Sequence, residues 1–190
     1  TQGVSSAASD VYKRQMEDEP IIFVEVALMN NIPSKIKDVL EEERQLIEPH
    51  EANVAVFYSI SNCQKGLSGI SFGNFLIKQV ANDLKFEFNN IKKFVTLSPV
   101  PGLRNWIKNK NPKFELILEK FKKSEQILKI KPSLMRYAGD YFLNSDRSDG
   151  MPNDPVARFH LGNGASLEQI NYLGDTCLLY TSDAADDTPC

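Results

Sequence analysis

The clearest pattern of hydrophobic and polar positions runs from Val54 to Trp106. Val54-Ala55-Val56-Phe57-Tyr58-Ser59-Ile60 is a short, nearly continuous apolar run rich in β-branched and aromatic residues, which predicts a buried strand. Gly66, Gly69 and Gly73 then punctuate a loop. After it, Phe75, Leu76, Val80, Leu84 and Phe88 recur at helical spacing with Lys78, Asp83, Lys85 and Glu87 between them, which predicts an amphipathic helix. Phe94-Val95-Thr96-Leu97 reads as a second short strand, and Ser98-Pro99-Val100-Pro101-Gly102 must end it, because proline cannot donate to a sheet ladder.

The flanking segments extend this strand–loop–helix–strand unit. Ile21–Leu28 predicts another strand. Asn30–Ser34 reads as a turn, with Ser34 as N-cap of a helix over Lys35–Glu43. Glu41, Glu42 and Glu43 are adjacent on that helix and point in different directions, so they suit a solvated helix end better than a metal site. His50 lies among polar loop residues and is read as surface. Leu103–Lys110 predicts a short helix with Trp106 and Ile107 inward, and Pro112 opens a further unit. Lys108, Lys110, Lys113, Lys120, Lys122 and Lys123 make this part basic. A solvated helix face accounts for them, and attraction of a phosphate-bearing ligand is the functional alternative. Leu134–Leu143 reads as a helix, Asn144–Asp154 as a loop, and Ser166–Tyr172 as a helical start from its Leu167 and Ile170 spacing.

Composition narrows the class. A chain of 190 residues with 42% hydrophobic and 25% charged residues suits one ordinary globular domain. No apolar run approaches the roughly 20 residues that span a bilayer, so no membrane partner is expected. The net charge of −3 argues against a general nucleic-acid binder. Cys63, Cys177 and Cys190 form neither a metal spacing nor a disulfide framework, which points to a reducing, cytoplasmic setting. With His50 and His160 as the only histidines, a His-rich metal site is excluded.

The two ends differ from the body. TQGVSSAASDVYKRQ (residues 1–15) and CLLYTSDAADDTPC (residues 177–190) resemble translated adapter sequence, and both are expected to be non-native, disordered tails around a folded domain at residues 16–176.

Chemistry is suggested first by the glycine loop. A glycine-bearing turn entering a helix presents unpaired N–H groups, and the helix dipole adds partial positive charge, so phosphates suit such a place. Glycine loops also serve tight packing alone, and the pattern by itself is weak. Ser98 before proline can be a plain turn residue, and His160 after an aromatic a plain hydrogen-bonded histidine.

The blocks AVFYSIS, QKGLSGISFGNFLIKQV, FVTLSPVPGLRNW and NDPVARFHLGNGASLEQINYLGD, in this order, resemble malonyl-CoA decarboxylase. Asp154 stands between Asn153 and Pro155 where the family reads Asn-Pro directly, and is taken to replace nothing essential. Ser71 stands where some relatives carry glutamate, so that position is not an essential acid here. The resemblance implies an α/β (α+β) fold, a mixed sheet flanked by helices similar to the GNAT acyltransferases. It also implies a catalytic domain lacking an N-terminal helical domain and a C-terminal end, and a homo-oligomer at full length. The reaction implied is malonyl-CoA to acetyl-CoA and carbon dioxide with no metal or organic cofactor. On the same resemblance, Ser98 and His160 match the catalytic serine and histidine. Ser68, Gly69, Ile70, Ser71, Phe72, Gly73 and Asn74 match the malonyl-CoA-binding loop. This reading expects Ser98 and His160 within hydrogen-bond reach of each other. A GNAT-like N-acyltransferase and a non-catalytic acyl-CoA-binding module remain as alternatives, and neither has a reason to pair those two side chains.

Overall fold

In the computed structural model the apolar run becomes the centre of a four-stranded sheet ordered β1-β2-β3-β4. Its strands are β1 (Ser9–Met16), β2 (Glu19–Met29), β3 (Val54–Asn62) and β4 (Lys93–Thr96). The structure describes residues 9–16, 19–41, 47–62, 72–121, 125–144 and 147–175. These belong to two units, Thr1–Leu97 and Ser98–Cys190. The first two strand pairings are antiparallel and β3 with β4 is parallel. The result is a mixed sheet with helices, as the family resemblance implies.

In the first unit, strand alternation sorts side chains onto two apolar faces. Val24, Val26, Leu28, Ala55 and Phe57 join Leu76, Val80 and Leu84 of helix α2 (Phe72–Glu87) in one buried cluster. Ala27, Val54 and Val56 join Val39 in the other, with Met29, Ile32, Ile36, Tyr58, Val95 and Leu97 partly buried beside them. A strand packed on both faces reads as an unbroken apolar run, the feature that made β3 conspicuous. The register slips by one residue between Glu25 and Val26, where Ser59 and Phe57 are the successive partners and Tyr58 is left over. Phe75, counted with the apolar positions of the helix, is 55% exposed and lies off the buried stripe.

Three expectations in this unit are corrected. Residues 9–15, expected to lack order, belong to β1, whose backbone pairs with β2 from Ser9↔Ala27 to Met16↔Glu19. The edge of β2 offers N–H and C=O groups that any extended segment can satisfy, so an apolar pattern is not needed. The helix expected over Lys35–Glu43 is described only as the single turn α1 (Lys37–Leu40), and Ser34 is not its cap. Instead Asp38 Oδ2 accepts the Lys35 N–H at 3.2 Å, a side-chain bond that closes the turn locally. Helix α2 begins at Phe72, so Gly73 and Asn74 sit in its first turn and not in the loop before it.

The second unit is helical among its described residues. Helix α3 (Leu103–Lys110) spans the predicted residues, and α4 (Pro112–Phe121) begins at the predicted proline. A six-residue 3₁₀ segment (Glu125–Ile130) leads into α5 (Lys131–Leu143), and α6 (Pro155–Gly162) follows a loop. Ile107, Phe114 and Ile130 form its buried cluster, with Trp106, Leu118, Leu134 and Tyr137 packed against it. Arg104 and the buried Glu115 pair at 2.9 Å. Lys108, Lys110, Lys113 and Lys120 are exposed, as a solvated face requires, with Lys110 Nζ 5.4 Å from the Trp106 ring centre. Ser166–Tyr172 forms no helix. Leu167 is 46% exposed and Ile170 is only partly buried, so the short segment lacks the buried apolar face that would hold it helical.

Candidate functional site

Ser98 stands one residue beyond the last sheet bond. The Leu97 N–H still bonds to the Phe57 carbonyl at 2.9 Å, and Pro99 and Pro101 then remove two donors. The chain turns through Val100, whose carbonyl accepts the Leu103 N–H at 3.3 Å, and enters α3. Ser98 is left exposed on this turn.

His160 is placed by a helix whose ends are unusually well bonded. Asp154 is the N-cap of α6, and its Oδ1 accepts the Ala157 N–H at 2.9 Å. Pro155 occupies the first helical position, where a missing N–H costs nothing. Arg158 Nη1 donates to the carbonyls of Pro152 and Asn153 at 3.0 and 2.6 Å, pinning the preceding loop. At the other end Gly164 has φ +91°, a backbone region that favours glycine. Its N–H bonds to Leu161 and the Ala165 N–H bonds to His160, both at 3.1 Å, forming a Schellman cap. Asn163 Nδ2 also donates to the Phe159 carbonyl at 2.6 Å. Asn163 and Gly164 thus shape the turn under His160.

The two side chains meet. Ser98 Oγ lies 3.1 Å from His160 Nε2 across 62 residues of sequence. The imidazole is half-buried and edge-on to the Phe159 ring at 5.0 Å. Burial disfavours the charged form and holds its pKa below the usual histidine value. A neutral imidazole carries one N–H and one bare nitrogen, so this hydrogen bond can pass a proton in either direction.

The remaining sequence-predicted residues are placed less completely. Phe72 opens α2, with Gly73 and Asn74 following in its first turn. Ser68, Gly69, Ile70 and Ser71 lie outside the described residues. Among the described residues no group of three His, Cys, Asp or Glu could hold a metal ion, and no helix is long and apolar enough to cross a membrane.

Sequence reasoning missed Asp154. Far from replacing nothing, it is 1% exposed and caps the helix that bears His160. The Asp-Pro step at the helix start was the available signal. Its Oδ2 lies 3.5 Å from the Tyr141 hydroxyl, the outer limit of a hydrogen bond. Burial first, and then the neighbouring Asp154, raise the Tyr141 pKa, so the phenol keeps its proton and acts as donor.

Comparison with known proteins follows the same residues. The malonyl-CoA decarboxylase C-terminal domain family model matches residues 8–185. The crystal structure of malonyl-CoA decarboxylase from Agrobacterium vitis is 44% identical with a TM-score of 0.80, over 90% of this chain and 47% of that one. The Rhodopseudomonas palustris enzyme structure is 44% identical with a TM-score of 0.75, over 88% of this chain and 43% of that one. Goose mitochondrial malonyl-CoA decarboxylase is 31% identical over 192 residues, 83% of this chain and 38% of its own length. The chain therefore spans about two fifths of the curated relatives it matches.

Proposed function

Since the chain belongs to the malonyl-CoA decarboxylase family through its C-terminal domain, we propose that it carries the reacting groups for decarboxylation of malonyl-CoA to acetyl-CoA and carbon dioxide. The observation that carries this reading is the 3.1 Å contact between Ser98 Oγ and His160 Nε2.

The chemistry follows from what the reaction needs. The bond between the malonyl methylene carbon and its carboxylate breaks, carbon dioxide leaves, and the electron pair remains as a thioester enolate. That carbon then takes one proton. His160 takes up one proton from solvent, delivers it from Nε2 to that carbon and returns to neutral imidazole, while Ser98 holds the departing carboxylate and accepts the His160 N–H hydrogen bond. Donors already aimed at the developing charge contribute most to catalysis in reactions of this kind. A positioned acid adds roughly 10²–10⁴-fold. The loop Ser68–Asn74 is the proposed coenzyme A contact, since the first turn of a 16-residue helix presents N–H groups without intrahelical partners. At full length the protein is proposed to be a homo-oligomer.

The test is carbon dioxide release from malonyl-CoA, measured with and without an added amine. Ser98→Ala and His160→Ala are each expected to lower kcat by roughly 10²–10⁴-fold, and the double variant to lose little more than the worse single one. Unchanged release in both variants would sink the reading. Acyl transfer that requires the amine would replace it with an acyltransferase.

A further inference from the structure

Gly102 is the N-cap of α3, with φ −80° and ψ −16°, a conformation open to any residue. Its backbone therefore does not call for glycine. Space does. A Cβ at this position would lie 2.2 Å from Tyr141 Oη, 3.3 Å from Tyr141 Cζ and 3.8 Å from Asp154 Oδ2. Tyr141 cannot easily withdraw, because its ring packs against Trp106 at 5.4 Å and Phe142 at 5.9 Å, and it is 4% exposed. Three residues remote in sequence thus converge at one buried point. One closes the turn that Ser98 opens, one lies in α5, and one caps the helix of His160.

We propose that Gly102, Tyr141 and Asp154 form a positioning contact that sets α6 against the Ser98 turn and so holds Ser98 Oγ and His160 Nε2 at hydrogen-bond distance. The proposal rests on the reading of that pair as the reacting groups. No atom of the three residues touches the pair in the contacts described, so they act through Asp154 Oδ1 and the helix it caps. Interiors are close-packed, and a methyl group placed 2.2 Å from an oxygen must move one element or the other. The Tyr141 hydroxyl is the atom in the way, and removing it should undo the clash.

The experiment compares Gly102→Ala, Tyr141→Phe and the double variant in the full chain by two readouts. One is the NMR titration of the His160 ring protons, which are separable because His50 is the only other histidine. The other is kcat and KM for carbon dioxide release. Gly102→Ala is expected to move the His160 titration up toward the ordinary value as the ring loses cover, and to lower kcat roughly 10-fold or more with KM little changed. In the double variant the closest atoms left to the methyl are the ring carbon at 3.3 Å and Asp154 Oδ2 at 3.8 Å. Its titration and kcat should return to those of Tyr141→Phe.

A Gly102→Ala protein that titrates and turns over like the parent would overturn the proposal, as would a double variant that does not recover. If Gly102→Ala alone fails to fold, a folded double variant with the Tyr141→Phe titration supports the contact, and an unfolded one defeats it. A chain that releases no carbon dioxide, yet shows the displaced and restored titration, keeps the positioning contact and discards the decarboxylase reading.

Discussion

The sheet of the first unit and the His160 helix of the second are held by different means. Between Val24 and Leu84 the order comes from apolar area: Val24, Val56, Phe57, Val80 and Leu84 are all 2% exposed or less. Helix α6 has no buried residue at all. It is held at its two ends by Asp154, by the Arg158 bonds to the loop before it, and by the Schellman cap at Gly164. Burial is spread over many atoms, and no single contact decides it. A capped helix depends on a few polar atoms, each of which decides where the imidazole stands. The difference predicts where substitutions hurt stability and where they hurt geometry.

The largest stability effect belongs to the sheet. Phe57→Ala removes a side chain that is 2% exposed and leaves a cavity between β2, β3 and α2. A loss of about 3–5 kcal/mol is expected from urea unfolding. Phe86→Ala is the control, since Phe86 is 91% exposed and should change stability by no more than about 0.5 kcal/mol. Equal losses at the two positions would break the claim that area governs this region.

Gly164→Ala tests the other side. A side chain at φ +91° is strained, at a cost of about 1–2 kcal/mol. The global loss should be smaller than for Phe57→Ala. The carbonyls of His160 and Leu161 would, however, lose their partners first. Carbon dioxide release should therefore fall by more than the unfolded fraction explains. Activity that only tracks the folded fraction would show that the cap is not needed to hold the imidazole.

The same contrast explains what could be read from the sequence. The strand–helix–strand core was legible because burial on both sheet faces leaves an apolar run, and on one helix face a periodic stripe. Leu103–Lys110 was legible from the Pro-Gly turn before it and from Trp106 and Ile107 on its inner side. The ends of α6 were not, because caps are single residues. Ser34 looked like a cap and is not one, while Asp154 is a cap and was passed over. Residues 9–15 escaped for a related reason, since β1 joins by backbone pairing, which leaves no mark in side-chain pattern. The Ser98–His160 contact links residues far apart in sequence, and family resemblance, not spacing, brought them together in advance. The pattern marked Gly102 only as a turn residue after Pro101, and its need for space arises only where Tyr141 folds over it.

The smallest effect expected is a pH dependence, and it sharpens the comparison because one half-buried group carries it. Burial lowers the His160 pKa in the folded chain, whereas the unfolded value lies near 6.5. Between the two values the unfolded state binds more protons, so stability rises with pH there. The contribution is fully present above about pH 6.5 and is lost as pH falls through the folded value. Unfolding midpoints at a series of pH values should show this limb in the parent and lose it in His160→Gln. His50, exposed on its short 3₁₀ turn, serves as the control, and His50→Gln should leave the limb in place. A limb that survives His160→Gln would mean that the imidazole is not held in the half-buried position from which it reaches Ser98.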